Sequence, residues 1–119
     1  VVSLPLTAGK KTSIECNLLV NSAAATTGIQ LSSNASSTSS VRQVIEYYTS
    51  TTAQAICQGT AEGLLCSPAT SSGTTVTPTR VSVYTVQSNN SQFTLSLKSE
   101  VSGSAVYVRA GSWCRSIEF

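Results

Sequence analysis

The chain has 119 residues, 22 of them Ser and 16 Thr, while charged residues make up 10% and the formal net charge is +2. An apolar content of 40% sets it apart from disordered chains, which bury too little apolar surface to fold, and the length suits one domain. His, Met and Asp are absent, which removes imidazole as a base or metal ligand, so no catalytic, cofactor-binding or metal-binding residue is assigned.

From its start at Val1 the chain shows no charged leader and no apolar run of signal-peptide or membrane-span length. It is expected to be a processed, secreted form without a membrane span. Val2, Leu4 and Leu6 alternate on one face of a first strand that contains Pro5 and runs into Gly9-Lys10-Lys11. A proline cannot donate to a central ladder, and a glycine beside two lysines suits a joint. Residues 1–11 are therefore read as an N-terminal extension with a hinge, and residues 12–119 as a single β-sandwich. Two fates are open to this strand. It is either an edge strand of its own sheet, or a donor strand that Val2, Leu4 and Leu6 bind into a neighbouring subunit.

The next alternating run is Ile14, Cys16, Leu18 and Val20. Residues 32–40 are rich in Ser and are expected to form an exposed loop. In 41–48 the apolar positions fit both a short helix, with Ser40 and Gln43 as a capping box, and a strand; β-branched and aromatic residues favour the strand. Residues 67–79 are a second Ser/Thr-rich segment with Pro, expected to be an exposed loop or a site of O-glycosylation. Val81 and Val83, then Phe93, Leu95 and Leu97, then residues 105–108, and finally Trp113, Arg115, Ile117 and Phe119 continue the two-residue period. Turn signals about a dozen residues apart predict an antiparallel sandwich of seven or eight strands.

Cys16, Cys57, Cys66 and Cys114 form an even set with no CxxC, which favours two disulfides over zinc and an oxidising compartment. The nested pairing, Cys57 with Cys66 around a glycine-containing loop and Cys16 with Cys114, is preferred; the sequential pairing stays open. Asn34-Ala35-Ser36 and Asn89-Asn90-Ser91 are N-glycosylation sequons, giving Asn34 and Asn89 as candidate sites.

Other chemistry is weaker. A serine nucleophile would need Lys10, Lys11, Lys98 or a Glu as its base, and with so many serines such pairings arise by coincidence. The five Glu are read as solvated surface carboxylates rather than a glycosidase pair. Glu15 and Glu118 are placed to meet Arg115 if Cys16 pairs with Cys114. The seven cations are scattered, so nucleic acid is not a partner. Trp113 with Tyr47 and Tyr48 could line a carbohydrate or small-ligand platform, although a single Trp beside a cysteine is more often core.

These features together, a His-free, Ser/Thr-rich β-chain with an apolar alternating first strand, a cysteine soon after it and an apolar last strand ending in Phe119, resemble the donor-strand type of pilus subunit. The resemblance is one of architecture over the whole chain and rests on no specific motif. It implies an immunoglobulin-like antiparallel β-sandwich at the cell surface, a non-enzymatic subunit of an extracellular filament assembled by N-terminal strand exchange. Its partners would be copies of itself in a polymer and covalent glycans. Four cysteines depart from the commonest pattern in that family. A second likeness, to small disulfide-bonded sandwiches, implies instead a secreted binding or inhibitor module.

Overall fold

The computed structural model describes residues 2–66 and 73–119. Among the described residues ten strands follow in chain order: β1 (Val2–Leu6), β2 (Lys11–Ser22), β3 (Ile29–Ala35), β4 (Thr38–Tyr48), β5 (Gln54–Gly59), β6 (Gly63–Cys66), β7 (Thr77–Gln87), β8 (Ser91–Ser99), β9 (Val106–Val108) and β10 (Trp113–Glu118). They form a four-stranded sheet, β1-β8-β3-β6, facing a six-stranded sheet, β10-β2-β7-β4-β5, in which β9 also pairs with β2. The antiparallel sandwich and the nested disulfides, Cys16–Cys114 and Cys57–Cys66, are as the sequence led us to expect.

The strand order is not that of an immunoglobulin domain. β1 pairs with β8, β2 with β7, β3 with β6 and β4 with β5, all antiparallel, which is the pairing of one long eight-stranded ribbon. Wrapping the ribbon around a core adds the contacts β3·β8 and β4·β7 and gives the jelly-roll arrangement. β9 and β10 then extend the six-stranded sheet along β2.

β1 occupies the edge of its own sheet, the first of the two fates above. Val2, Leu4 and Leu6 lie on its inner side, paired in register with Leu95, Phe93 and Ser91 of β8, and Leu6 is 2% exposed. Burying this apolar face within the chain needs no partner and gains transfer free energy for each side chain. The following residues are also held by the domain: Thr7 Oγ1 donates to Glu118 Oε1 (2.9 Å), Ala8 N to Asn90 Oδ1 (2.8 Å) and Gly9 N to the Gln87 carbonyl (3.0 Å).

Ile14, Cys16, Val81, Val83 and Ile45 of one sheet close over Leu31, Phe93 and Leu95 of the other. Part of this interior is polar. Gln43 is fully buried and donates Nε2 to the carbonyls of Ala61 (3.0 Å) and Glu62 (2.7 Å), fixing the turn between β5 and β6.

Two expectations need correction. Residues 32–40 are not a loop: Ser32–Ala35 belong to β3, Thr38–Ser40 open β4, and the turn is confined to Ser36-Ser37, with Ser37 in the left-handed region (φ 57°). Ser33 and Ala35 are inward and fully buried, so small side chains, one of them a hydroxyl, fill core positions here. Residues 41–48 are strand throughout. Of the second Ser/Thr-rich segment, residues 67–72 lie outside the described residues, and Thr77 and Thr79 are buried in β7.

Candidate binding face

The outer face of the six-stranded sheet is built by strand alternation. On β2, residues 13, 15 and 17 point outward, and register sets beside them Ile117, Arg115 and Trp113 of β10 and Tyr84, Ser82 and Arg80 of β7. One strand further, Arg42, Val44 and Glu46 of β4 continue the same rows.

Trp113 corrects the core reading: it is 44% exposed. Its neighbour Cys114 points inward, packs against the core and bonds to buried Cys16, so strand alternation turns the indole out to solvent. The indole borders a saucer of about 270 Å³ lined by Glu15, Asn17, Arg80 and Ser82. A second hollow of about 260 Å³ adjoins it, sharing Glu15 and Ser82 and reaching Arg42 and Tyr84. The two make a trough obliquely across the sheet with an aromatic ring at each end. Four residues of strand rise and two inter-strand steps put the α-carbons of Trp113 and Tyr84 about 16 Å apart.

The polar groups of the trough are arranged. Arg115 places Nη2 2.7 Å and Nε 3.1 Å from Glu15 Oε2, and its guanidinium carbon lies 5.4 Å from the Trp113 ring centroid. Both partners of this ion pair are at least half exposed. The Asn17 carboxamide oxygen is buried and has no hydrogen-bond partner, an orphan acceptor in the saucer wall. Tyr84 closes the far end against Phe119, ring centroids 6.5 Å apart.

The structure brings Glu15 and Arg115 together, whereas Glu118 bonds to Thr7 instead. Tyr47 and Tyr48 lie on β4, three strands from Trp113; Tyr47 packs against the core, so neither shares a platform with the indole. Asn34 is exposed on β3, and Asn89 is exposed in the turn between β7 and β8. Lys98 shares the outer face of the smaller sheet with Ser96 and Ser32, on open surface, whereas an amine acting as base needs a desolvated setting. Among the described residues no three His, Cys, Asp or Glu side chains gather as a metal-binding group. Tyr84 and Arg80 were missed by sequence reading; once β7 is aligned with β2, their parity with Ser82 identifies them.

Two disulfides indicate an oxidising environment, and no helix among the described residues is long and apolar enough to cross a membrane. No family model matches the chain, and neither the curated proteins nor the solved structures contain a match to it.

Proposed function

We propose that the domain is a secreted, non-enzymatic binding module that takes carbohydrate on the outer face of the six-stranded sheet. The observation that carries this is Trp113, exposed at the rim of a saucer whose walls are Glu15, Asn17, Arg80 and Ser82. A sugar ring offers an apolar C–H face for an indole and hydroxyls for fixed acceptors and donors; an aromatic surface with a few convergent polar groups meets both needs. Arg80 supplies planar donors, and the half-exposed Glu15 carboxylate supplies acceptors. Jelly-roll sandwiches carry lectin sites as well as capsid subunits, so the fold permits this function without fixing it.

The chain holds a single Trp, so its fluorescence reports on the site without labels. Titration with a panel of neutral oligosaccharides is expected to shift or quench that emission. Isothermal calorimetry with the best responder should show binding that Trp113→Ala abolishes while its melting temperature holds. A panel that leaves both emission and heat unchanged rejects the proposal.

A second reading keeps the domain as a filament subunit exchanging β1 between copies. The observation that favours it is Gly9, at φ 75° with open space around it, between β1, which has β8 as its neighbour, and β2. Exchange about that joint would preserve every β1 contact while linking subunits head to tail. Negative-stain microscopy decides: fibres lost on deletion of residues 1–8 support it, and a stable monomer rejects it. On either reading Asn34 and Asn89 are exposed acceptors for covalent glycans in a glycosylating host, checked by the mass lost on enzymatic deglycosylation.

A further inference from the structure

We infer that β10 is an assembly edge at which a second copy of this chain adds its own β10, antiparallel, about a two-fold axis through Ser116. The argument begins with the backbone. Lys11 and Phe119 exchange both hydrogen bonds, N to O at 2.9 and 3.2 Å, so alternation makes Trp113, Arg115 and Ile117 the residues that bond to β2. Cys114, Ser116 and Glu118 therefore turn their N–H and C=O groups away from β2, toward the free edge.

The edges of the sandwich are not equivalent. β1 carries Pro5, which protects an edge against addition. β5 and β6 border the opposite flank, are stapled together by Cys57–Cys66 and carry no aromatic side chain. β10 has neither proline nor disulfide across the flank, and together with the residue that follows it displays Trp113, Ile117 and Phe119, the last 64% exposed. Beside its first residues the flank stays open, where an apolar cleft of about 350 Å³ between β1 and β10 is lined by Val2, Leu4, Leu18, Val108 and Cys114; at its far end one side-chain hydrogen bond, Thr7 to Glu118, reaches β10.

Self-complementarity selects the occupant. With Ser116 facing its symmetry mate, Cys114 faces Glu118 of the second copy and the outward-pointing backbone groups form about six hydrogen bonds. On the outer face Trp113 then meets Phe119 of the second copy, an aromatic cross-strand pair of the favourable kind, and Arg115 meets Ile117. Sliding by one pair in one direction sets Arg115 against Arg115, a like-charge contact; sliding in the other removes the Trp113–Phe119 pair. An isologous contact of this type closes at two copies, joining the two six-stranded sheets into one.

The test is oligomeric state at sub-millimolar protein by sedimentation and light scattering. The expected mass is twice 12.3 kDa. Ser116→Pro removes one outward N–H without touching the β2 ladder and should return the mass to that of one chain, with the melting transition and circular dichroism of the monomer retained. Should that variant fail to fold, Ser116→Cys decides: it should form an intersubunit disulfide rapidly under air. A wild-type monomer, a dimer indifferent to Ser116→Pro, a Ser116→Cys chain that stays uncrosslinked, or open polymers each overturn the inference. Sugar titration plays no part in this readout, so the binding proposal stands or falls separately.

Discussion

Arg115 holds Glu15 across the β10–β2 ladder at 2.7 Å while its guanidinium lies 5.4 Å from the ring of Trp113. The pair is solvent-exposed, and exposed ion pairs contribute about 0–1 kcal/mol. Its consequence is placement of the indole. Arg115→Met should therefore shift the denaturation midpoint little, yet change the emission of Trp113 and weaken oligosaccharide binding several-fold. Equal loss of stability and binding would show the pair to be structural.

The two aromatic residues Phe93 and Phe119 should behave oppositely. Phe93 is fully buried between the sheets, and truncating such a side chain costs about 3–5 kcal/mol. Phe119→Ala should cost well under about 1 kcal/mol in dilute monomer, as surface substitutions do. Urea unfolding of both variants checks the contrast.

The disulfides close loops of very different size, with sequence separations of 98 and 9. On the loop-entropy model they restrict the unfolded chain by about 4.7 and about 2.6 kcal/mol respectively. Cys16→Ala/Cys114→Ala should accordingly lower stability more than Cys57→Ala/Cys66→Ala. The order of the two unfolding midpoints is the measurement, and a reversal would point to strain relief in one of the folded states.

Glu62 accepts hydrogen bonds from Thr38 N (2.8 Å) and Thr38 Oγ1 (3.0 Å), and these bonds hold its carboxyl below the ordinary carboxylate value. A group depressed on folding stabilises above its unfolded value, and that contribution is lost as pH falls through the folded one. Acid should therefore loosen the Thr38 turn. The Thr38 amide, followed by NMR or hydrogen exchange, should lose protection on acidification in the wild type and show a flatter response in Glu62→Gln.

Gly73 adopts φ +67°, and a Cβ there would meet the Ala25 Cα at 3.0 Å, whereas Gly103 at φ +81° faces open space. Gly103→Ala should cost about 1 kcal/mol for the left-handed backbone alone. Gly73→Ala should cost more, because the neighbour is main chain and cannot turn aside. Thermal melts of the two variants, run side by side, test the difference.

The faces of β1, β2 and β8 were legible because Val2, Ile14 and Phe93 each begin or continue a plain apolar alternation. β3 was half hidden, since its inward row runs Ile29, Leu31, Ser33, Ala35 and its second half carries little apolar signal. The opening of β4 was missed for the same reason: Thr38, Ser39 and Ser40 look like loop until Val41 reveals the strand. Periodicity also assigns a side chain to a face without saying which face is covered. This is why Trp113, in phase with Arg115, Ile117 and Phe119, could not be assigned to solvent from alternation alone. Strand order lay further out of reach, because immunoglobulin and jelly-roll sandwiches can share the same alternating pattern while pairing different strands. The nested cysteine pairing was accessible through the short loop between Cys57 and Cys66, and the Arg115–Glu15 contact followed from it.

The pairing of Val2 with Leu95 bears on how the polypeptide matures. Long-range pairings of this sort slow folding, and here β1 must wait for the much later β8 before it can pair. During synthesis the apolar side of β1 stays unsatisfied until β8 has emerged. Cys16 must likewise await Cys114, so that bond cannot close until the intervening strands have been made, and chaperone protection of the nascent β1–β2 segment should govern the yield of native protein.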